Sequence, residues 1–511
     1  MPNAIGLDVG TSNVKAVLIL GDGTVAASAQ RALPTRQTGD AFEQDAELLW
    51  TRVADAIAEL SAARPNDAAG VAAIGVCSQY SSIVPVDADG HPTADLALWR
   101  DARGTARCLE ILQREPDAFV TWMDVHGIPP VGNGLSLGHI LRFQHDCPEV
   151  HARTAAYLEA MDYVAARLTG RIAATQHTMF MAQLCDNRSL GATSYHEDLL
   201  RMSGVDASRL PDLVPVDAAV GALRPNVASE LGLPPSAVVY AGTNDTSTGA
   251  VATGALSPGR GGLAIGTTSV LVDTVDEKAV DLEHNILSMP GPFADSYLVC
   301  AENGLGGKLL EHVLENLVHA EDELADHGTD DPYAALDAAL AAVPPGAGGL
   351  LFLPWLGGAL APKADAAMRG GFLNLSLDTR RTHLVRAVVE GVAHNLRWLL
   401  PYVERFTGRR IDEIAFTGGA ARSGEWCQIV ADVLDRPVAR VEGPELAVAR
   451  AAALLALCRS GSLSRDDLES RVAFEKRYEP GADVRELYAH RQEQFEAAFD
   501  AVRPIHQALN S

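Results

Sequence analysis

The sequence lacks the marks of several protein classes. Its seven cysteines, Cys77, Cys108, Cys147, Cys185, Cys300, Cys427 and Cys458, include no C-x-x-C pair, so no zinc or dithiol motif is signalled. Their odd number over a long chain points to reduced core thiols in a cytoplasmic protein. No uninterrupted apolar run reaches the roughly 20 residues of a membrane span. No basic segment precedes an apolar one at the start of the chain, and no signal peptide is expected. Basic residues are scarce, with 41 Lys and Arg against 66 Asp and Glu and a formal net charge of −25. That deficit argues against nucleic acid or an anionic membrane as partner. The histidines have no H-E-x-x-H spacing, and Gly304–Lys308 (GLGGK) runs into Leu309 rather than completing a Walker A loop.

What is present reads as an ordinary globular chain of 511 residues. At roughly 100–200 residues per domain it is too long for one core. Apolar runs and helical periodicities alternate. Strands are expected at Ile5–Asp8, Val14–Leu20, Val71–Cys77, Ala237–Ala241 and Ile414–Phe416. Helices are expected at Asp45–Leu60, Glu159–Leu168, Leu305–Leu317, Leu384–Leu400, Glu425–Leu434 and over the Ala-rich segment 447–458. Trp50, Trp398 and Trp426 fall on core faces. The charged tail after Ser464 reads as helical and surface-lying. The polar, Pro-punctuated stretch Pro211–Pro235 marks a boundary, predicting domains 1–240 and 241–511, with the tail after about 465 packing back on the first. Alternating β and α signals predict an α/β protein of two facing domains.

One pattern occurs twice. Ile5–Leu20 (IGLDVGTSNVKAVLIL) and Gly262–Thr274 (GLAIGTTSVLVDT) each place a Gly-Thr turn between two apolar runs. That is a β-hairpin whose tight turn exposes backbone N–H groups able to cradle phosphate. Asp8 precedes the first turn, where a carboxylate can hold Mg²⁺ or simply cap its own turn. Asp245 follows the apolar strand 238–241 and Gly242-Thr243, and opens a run of small residues. Such an Asp can take a proton from a hydroxyl, but capping the helix that follows is its commoner use. Thr417–Ser423 (TGGAARS) joins a strand to a helix, where glycines let a flat ring approach the backbone or merely make a tight turn. Trp99, before Arg100-Asp101, suits either the wall of a sugar pocket or the core.

These pieces stand in one order: the DVGTS hairpin, Gln79 at a strand end, Trp99 to Asp101, Asp245 before small residues, the GTTS hairpin, then Gly418–Ser423 (GGAARS). That order resembles the FGGY family of carbohydrate kinases, most closely its xylulokinase-like branch, over essentially the whole chain. Gly370–Glu390 resembles a family signature, with Asn374 where Gly is usual. The resemblance implies two ribonuclease-H-like domains of the actin/hexokinase type, with Mg-ATP as phosphoryl donor. It places Asp245 on the catalytic base and, with Asp8, on the magnesium-associated carboxylates. Gly10, Thr11, Ser12 and Lys15 fall on the first phosphate loop, and Gly266-Thr267 on the second. Gly306, Gly419 and Ser423 fall on nucleotide contacts. Gln79, Tyr80, Ser81, Trp99, Asp101 and Thr246 fall where the family holds its sugar.

The chain departs from xylulokinases at Tyr80-Ser81, where Met-His is usual, at Thr246, usually Asn, at Gly358–Pro362, usually Gly-Glu-Arg-x-Pro, and at His139, usually Lys. These changes touch specificity rather than the chemistry. The expectation is phosphoryl transfer to D-xylulose. Kinases of ribulose, glycerol or gluconate stand as alternatives, as does a non-catalytic actin-like nucleotide sensor; a phosphoanhydride hydrolase is weaker. A homodimer is the expected assembly.

Overall fold

Two sheets built on one plan organise the two halves of the chain. A computed structural model describes residues 1–257, 259–319, 321, 322, 325, 326, 333 and 335–510. In the first half β1 (Asn3–Val9), β2 (Asn13–Ile19) and β3 (Val25–Ala32) pair antiparallel in succession. Beyond β1, β4 (Val71–Ser78) runs parallel to it. The edge strand β5 (Ala219–Ala222) pairs antiparallel with β6 (Val238–Tyr240), and both β6 and β7 (Thr243–Asn244) run parallel to β4.

The second half repeats the order. β8 (Arg260–Ile265) pairs antiparallel with β9 (Thr268–Val275). After β10 (Val280–Asp281) and β11 (Ile286–Pro290), β12 (Tyr297–Leu305) takes the third place beside β9. β13 (Glu413–Thr417) runs parallel to β8, β14 (Val438–Val441) parallel to β13, and β15 (Phe474–Tyr478) closes the edge antiparallel to β14. Among the described residues the sheets have seven and eight strands. Three antiparallel strands followed by a parallel fourth and fifth, twice over, is the ribonuclease-H-like arrangement of an actin/hexokinase-type α/β protein whose domains face a central cleft.

The expected helices form, each for a local reason. α1 (Ala46–Ala63) starts where Asp45 Oδ1 accepts the Leu48 N–H at 2.9 Å, and it buries Leu49, Trp50, Val53, Ile57 and Leu60. α2 (Ser136–Asp146) belongs to an excursion between β4 and β5 with its own core around Trp122 and Leu137. α3 (Asp245–Thr253) follows β7. The helix expected from Leu305 starts two residues later as α4 (Gly307–Val313), because β12 runs on to Leu305. α5 (Arg381–Thr407) and α6 (Gly424–Leu434) cover the second sheet and bury Trp398 and Trp426. Asn374, where the family has Gly, stands at φ +67°. Asn tolerates that left-handed backbone better than other residues.

α7 (Ala447–Arg459) belongs in sequence to the second half but lies on β1 and β4 of the first and packs against α3. Its alanines and two strand glycines make this possible. A Cβ on Gly6 would stand 1.9 Å from the Ala449 carbonyl oxygen, and one on Gly75 would stand 2.0 Å from that of Ala452.

The tail differs from the sequence reading. It contributes strand β15 before its long helix α8 (Arg485–Asn510), and α8 hides an apolar stripe, with Tyr488, Phe495 and Phe499 buried. That helix packs against α5, α6 and the Trp355–Trp398 cluster of the second half rather than on the first. The segment before β15 does reach across, with Leu468 in a shared core and the Arg471 bond to the Gly21 carbonyl at 2.6 Å.

Candidate active site

Parallel pairing brings three strand ends together. Asp8 in β1 stands in register with Cys77 of β4, and Cys77 with Thr243 of β7. Asp8 and the start of α3 are therefore two strands apart, about 10 Å between backbones. Ligands of α/β sheets bind at such carboxyl ends.

Asp245 is not the cap of α3. Asn244 takes that place, its Oδ1 accepting the Ser247 N–H at 2.8 Å. Asp245 is left at the first helical position with its carboxylate open to the cleft. One oxygen accepts the Thr246 N–H at 2.8 Å, and the Thr246 hydroxyl lies 3.4 Å from the same oxygen. The surrounding protein raises its pKa to about 7: burial in the cleft contributes most, then the charge of Asp8, with Glu302 adding to them. Asp8 is also raised, by burial, which Lys15 at 3.9 Å partly offsets. Two neighbouring carboxylates, the charge of Asp8 raising the pKa of Asp245, are a donor set of hard oxygens that fits a divalent cation such as Mg²⁺.

The first Gly-Thr turn is tied to the acceptor side. Thr11 donates its hydroxyl to Gln79 Oε1 at 2.8 Å, and Gln79 Nε2 reaches Gln44 Oε1 at 3.0 Å. Gln44 Nε2 holds the Thr11 carbonyl at 2.5 Å. Trp99 is half-buried, its indole N–H 3.3 Å from the Thr11 hydroxyl. Ser12 is exposed at the tip of the turn, and Gly10 donates its N–H to the Asn13 carbonyl. Lys15 crosses to the other half and donates to the Glu445 carbonyl at 2.9 Å.

The second turn is held by backbone hydrogen bonds. Gly266 N–H meets the Thr268 carbonyl at 3.0 Å, Gly306 N–H the Thr267 carbonyl at 2.9 Å, and Gly307 N–H the Gly266 carbonyl at 2.7 Å. Gly266 and Thr267 stay exposed. Ideal Cβ atoms on Gly266 and Gly419 would meet nothing within 4 Å, whereas one on Gly306 would strike Ile265 at 2.9 Å. The first two thus border open space that suits phosphate and a flat ring, and Gly306 is needed for packing. Ser423 is buried and already used: it caps α6 by accepting the Trp426 N–H at 3.0 Å and bonds Asp337.

Asp101 is likewise committed to the protein. It is fully buried, and Arg103 Nε lies 3.0 Å from each carboxylate oxygen, with the Phe42 N–H at 3.2 Å. Burial alone would raise its pKa, but Arg103 outweighs burial and holds it below the usual carboxylate range. Its geometry is that of an internal ion pair behind the pocket, not of a free sugar ligand. Tyr80 is half-buried and donates its hydroxyl to the His177 carbonyl at 2.9 Å, while Ser81 is buried at φ +55°.

Sequence reasoning missed Gln44, His177 and Glu302. His177 Nδ1 lies 2.7 Å from the Pro290 carbonyl and therefore carries the ring proton, leaving Nε2 to accept from the Asn244 side chain at 3.2 Å. Burial lowers its pKa to about 4, so it orients the residue before Asp245 as a neutral ring. Glu302 enters from β12, half-buried, with its pKa raised by burial. None of the three belongs to a local pattern; each arrives from a distant segment.

Comparison with known proteins identifies the family. The model of the FGGY family of carbohydrate kinases, N-terminal domain, matches residues 3–252, and that of the C-terminal domain matches 262–459. The chain is similar to a xylulose kinase of Bacillus subtilis (strain 168), 29% identical over 90% of this chain and 89% of the relative. It is also similar to a gluconokinase of the same organism, 25% identical over 95% and 93%. Among solved structures, ligand-bound xylulose kinase from Lactobacillus acidophilus superposes with a TM-score of 0.85 at 22% identity, covering 100% of both chains. No helix among the described residues is long and apolar enough to cross a membrane.

Proposed function

Because the chain belongs to the FGGY family of carbohydrate kinases, we propose that it phosphorylates a ketose, D-xylulose to D-xylulose 5-phosphate, at the expense of Mg-ATP. The observation that carries the chemistry is Asp245: a carboxylate released from capping duty by Asn244, open to the cleft, with a pKa near the working range. A base is most effective when its pKa lies near the operating pH.

The sugar lies on the first half, near Gln79, Tyr80, Ser81, Trp99 and Thr246. ATP lies mainly on the second half, its phosphates between Gly10–Ser12 and Gly266-Thr267 and its base near Gly419. Asp245 accepts the proton of a primary hydroxyl. The new O–P bond forms at the γ-phosphorus in line as the bond to the β-phosphate oxygen breaks, and ADP leaves. Asp8, with Asp245, would hold Mg²⁺, whose charge offsets that of the phosphates. Closure of the two halves keeps out water, the competing acceptor. The identity of the sugar rests on the names of the relatives, among which gluconokinase is the second candidate.

The test is ADP release with Mg-ATP against D-xylulose, D-ribulose, glycerol and gluconate, wild type beside Asp245→Ala. Strong turnover of D-xylulose alone, lost in the variant, is the expected result. Preference for another acceptor would overturn the sugar, and turnover retained by the variant would overturn the base.

A further inference from the structure

The Tyr80-Ser81 turn rests on a buried chain of oxygens whose protons can be counted. Ser81 Oγ bonds the Gly134 carbonyl and lies 3.3 Å from Ser136 Oγ; Ser136 Oγ in turn bonds Glu159 Oε1. The other oxygen of Glu159 accepts the Ser82 N–H at 2.8 Å. Ser81, Ser82, Ser136 and Glu159 are all buried, Ser82, Ser136 and Glu159 at 0% exposure.

Three oxygen–oxygen contacts need three protons, and the two hydroxyls supply two. A carbonyl has no proton to give, so Ser81 must donate to Gly134. Ser136 must then donate to Ser81, which leaves the contact between Ser136 and Glu159 without a proton unless the acid carries it. With an ionised Glu159, Ser136 turns its proton to the carboxylate and the two serine oxygens face each other bare.

We propose that Glu159 is a positioning residue for the acceptor turn: it is a protonated acid at neutral pH, donating to Ser136 and so fixing Ser81 in its left-handed conformation beside Tyr80. This rests on the reading of that turn as the sugar site. Burial supports it, raising the Glu159 pKa to about 8 against the smaller pull of Ser136 and Ser82. The groups around it do not supply a counter-charge. Asp162, on the helix that follows, is a second buried acid, likewise raised to about 8 by burial. The Tyr80 phenol is raised, by burial first and then by Glu159. On α2, His139 is fully buried with neither ring nitrogen partnered; burial pushes its pKa down to about 4 and keeps it neutral. Beyond it the Asp101–Arg103 pair is internally balanced.

The test compares wild type with Glu159→Gln, whose amide reproduces both the donor and the acceptor of the neutral acid, and with Ser136→Ala, which cuts the chain. KM for the acceptor that the panel identifies is measured from pH 6 to 9.5 alongside KM for ATP. Deprotonation near pH 8 should raise the wild-type acceptor KM by up to roughly tenfold between pH 7 and 9, leave the ATP KM unchanged, and leave Glu159→Gln flat. Ser136→Ala should show a raised acceptor KM at every pH. An infrared carboxylic-acid band at pH 7, present in wild type and in Asp162→Asn but missing in Glu159→Gln, reads the proton directly and needs no turnover. Parallel pH profiles in wild type and Glu159→Gln, or no such difference band, would overturn the proposal. If no acceptor is turned over, the sugar-site reading falls, and with it the role of the turn, while the band still reports whether the proton is there.

Discussion

The Gly266-Thr267 turn and the Tyr80-Ser81 turn, assigned above to nucleotide and acceptor, are held in opposite ways. The first is fixed by three backbone hydrogen bonds. The second is held by buried side chains from three segments, Gly134–Ser136, Glu159 and the turn itself. A backbone cradle suits phosphate, whose oxygens are alike in every nucleotide. A side-chain cradle can be altered residue by residue, and three of the departures from the xylulokinase pattern, Tyr80, Ser81 and His139, lie in or beside it. On the proposed reading, the nucleotide cradle is thus built from parts that substitution cannot easily change, and acceptor specificity from parts that it can.

The largest test asks whether both turns serve one centre. Asp245→Asn should lower kcat by about 10²–10⁴ while leaving both KM values within a few fold. In the wild type kcat should rise with pH and level off above about 7, since the base must be ionised to accept the proton. A variant that retained kcat would separate the two turns.

The next test weighs the side-chain turn. Glu159 is raised above its unfolded value of 4.5. The folded state therefore holds a proton that the unfolded chain releases, and stability falls as pH climbs from about 4.5 towards 8. Glu159→Gln escapes that loss. Its stability should match the wild type near pH 4.5 and exceed it increasingly up to pH 8, by on the order of 4 kcal/mol. Thermal unfolding at a series of pH values measures it, and a constant gap would count against a protonated acid.

The backbone turn is sharpened by Gly266→Val. Its Cβ would enter open space, so folding should survive, yet the branched side chain occupies the phosphate cradle. ATP KM should rise roughly tenfold, about 1.4 kcal/mol, with acceptor KM unchanged. The smallest effect is expected at the seam between the two sides. Trp99→Phe removes one long hydrogen bond to Thr11 and keeps the ring. It should cost about 0.5–1.5 kcal/mol or less, read as a two- to tenfold change in acceptor KM.

Both hairpins were legible because an apolar–Gly-Thr–apolar pattern is local: the residues that make the turn are neighbours in the chain. The helices at α1, α5 and α7 were legible for the same reason, through their periodicity. The tail was misread because its charged surface residues mask a sparse stripe, Tyr488, Phe495 and Phe499, whose partners Trp355 and Trp398 lie far back in the sequence. Asp245 could be singled out, but the choice between cap and base turned on Asn244, and only the structure shows which of the two oxygens meets the Ser247 N–H. Asp101 and Ser423 fell on family ligand positions, and the fold shows both already bonded within the protein.

By itself the amino-acid sequence determined the class of this protein, since period, turn chemistry and a doubled phosphate hairpin depend on residues close together in the chain. The tertiary structure alone decided which polar groups remain free to act. Gln44, His177, Glu302 and Glu159 reach the cleft from separate segments. The protonation of the last three follows from burial and that of Glu159 also from the count of available hydrogens, and neither exists until the chain has folded.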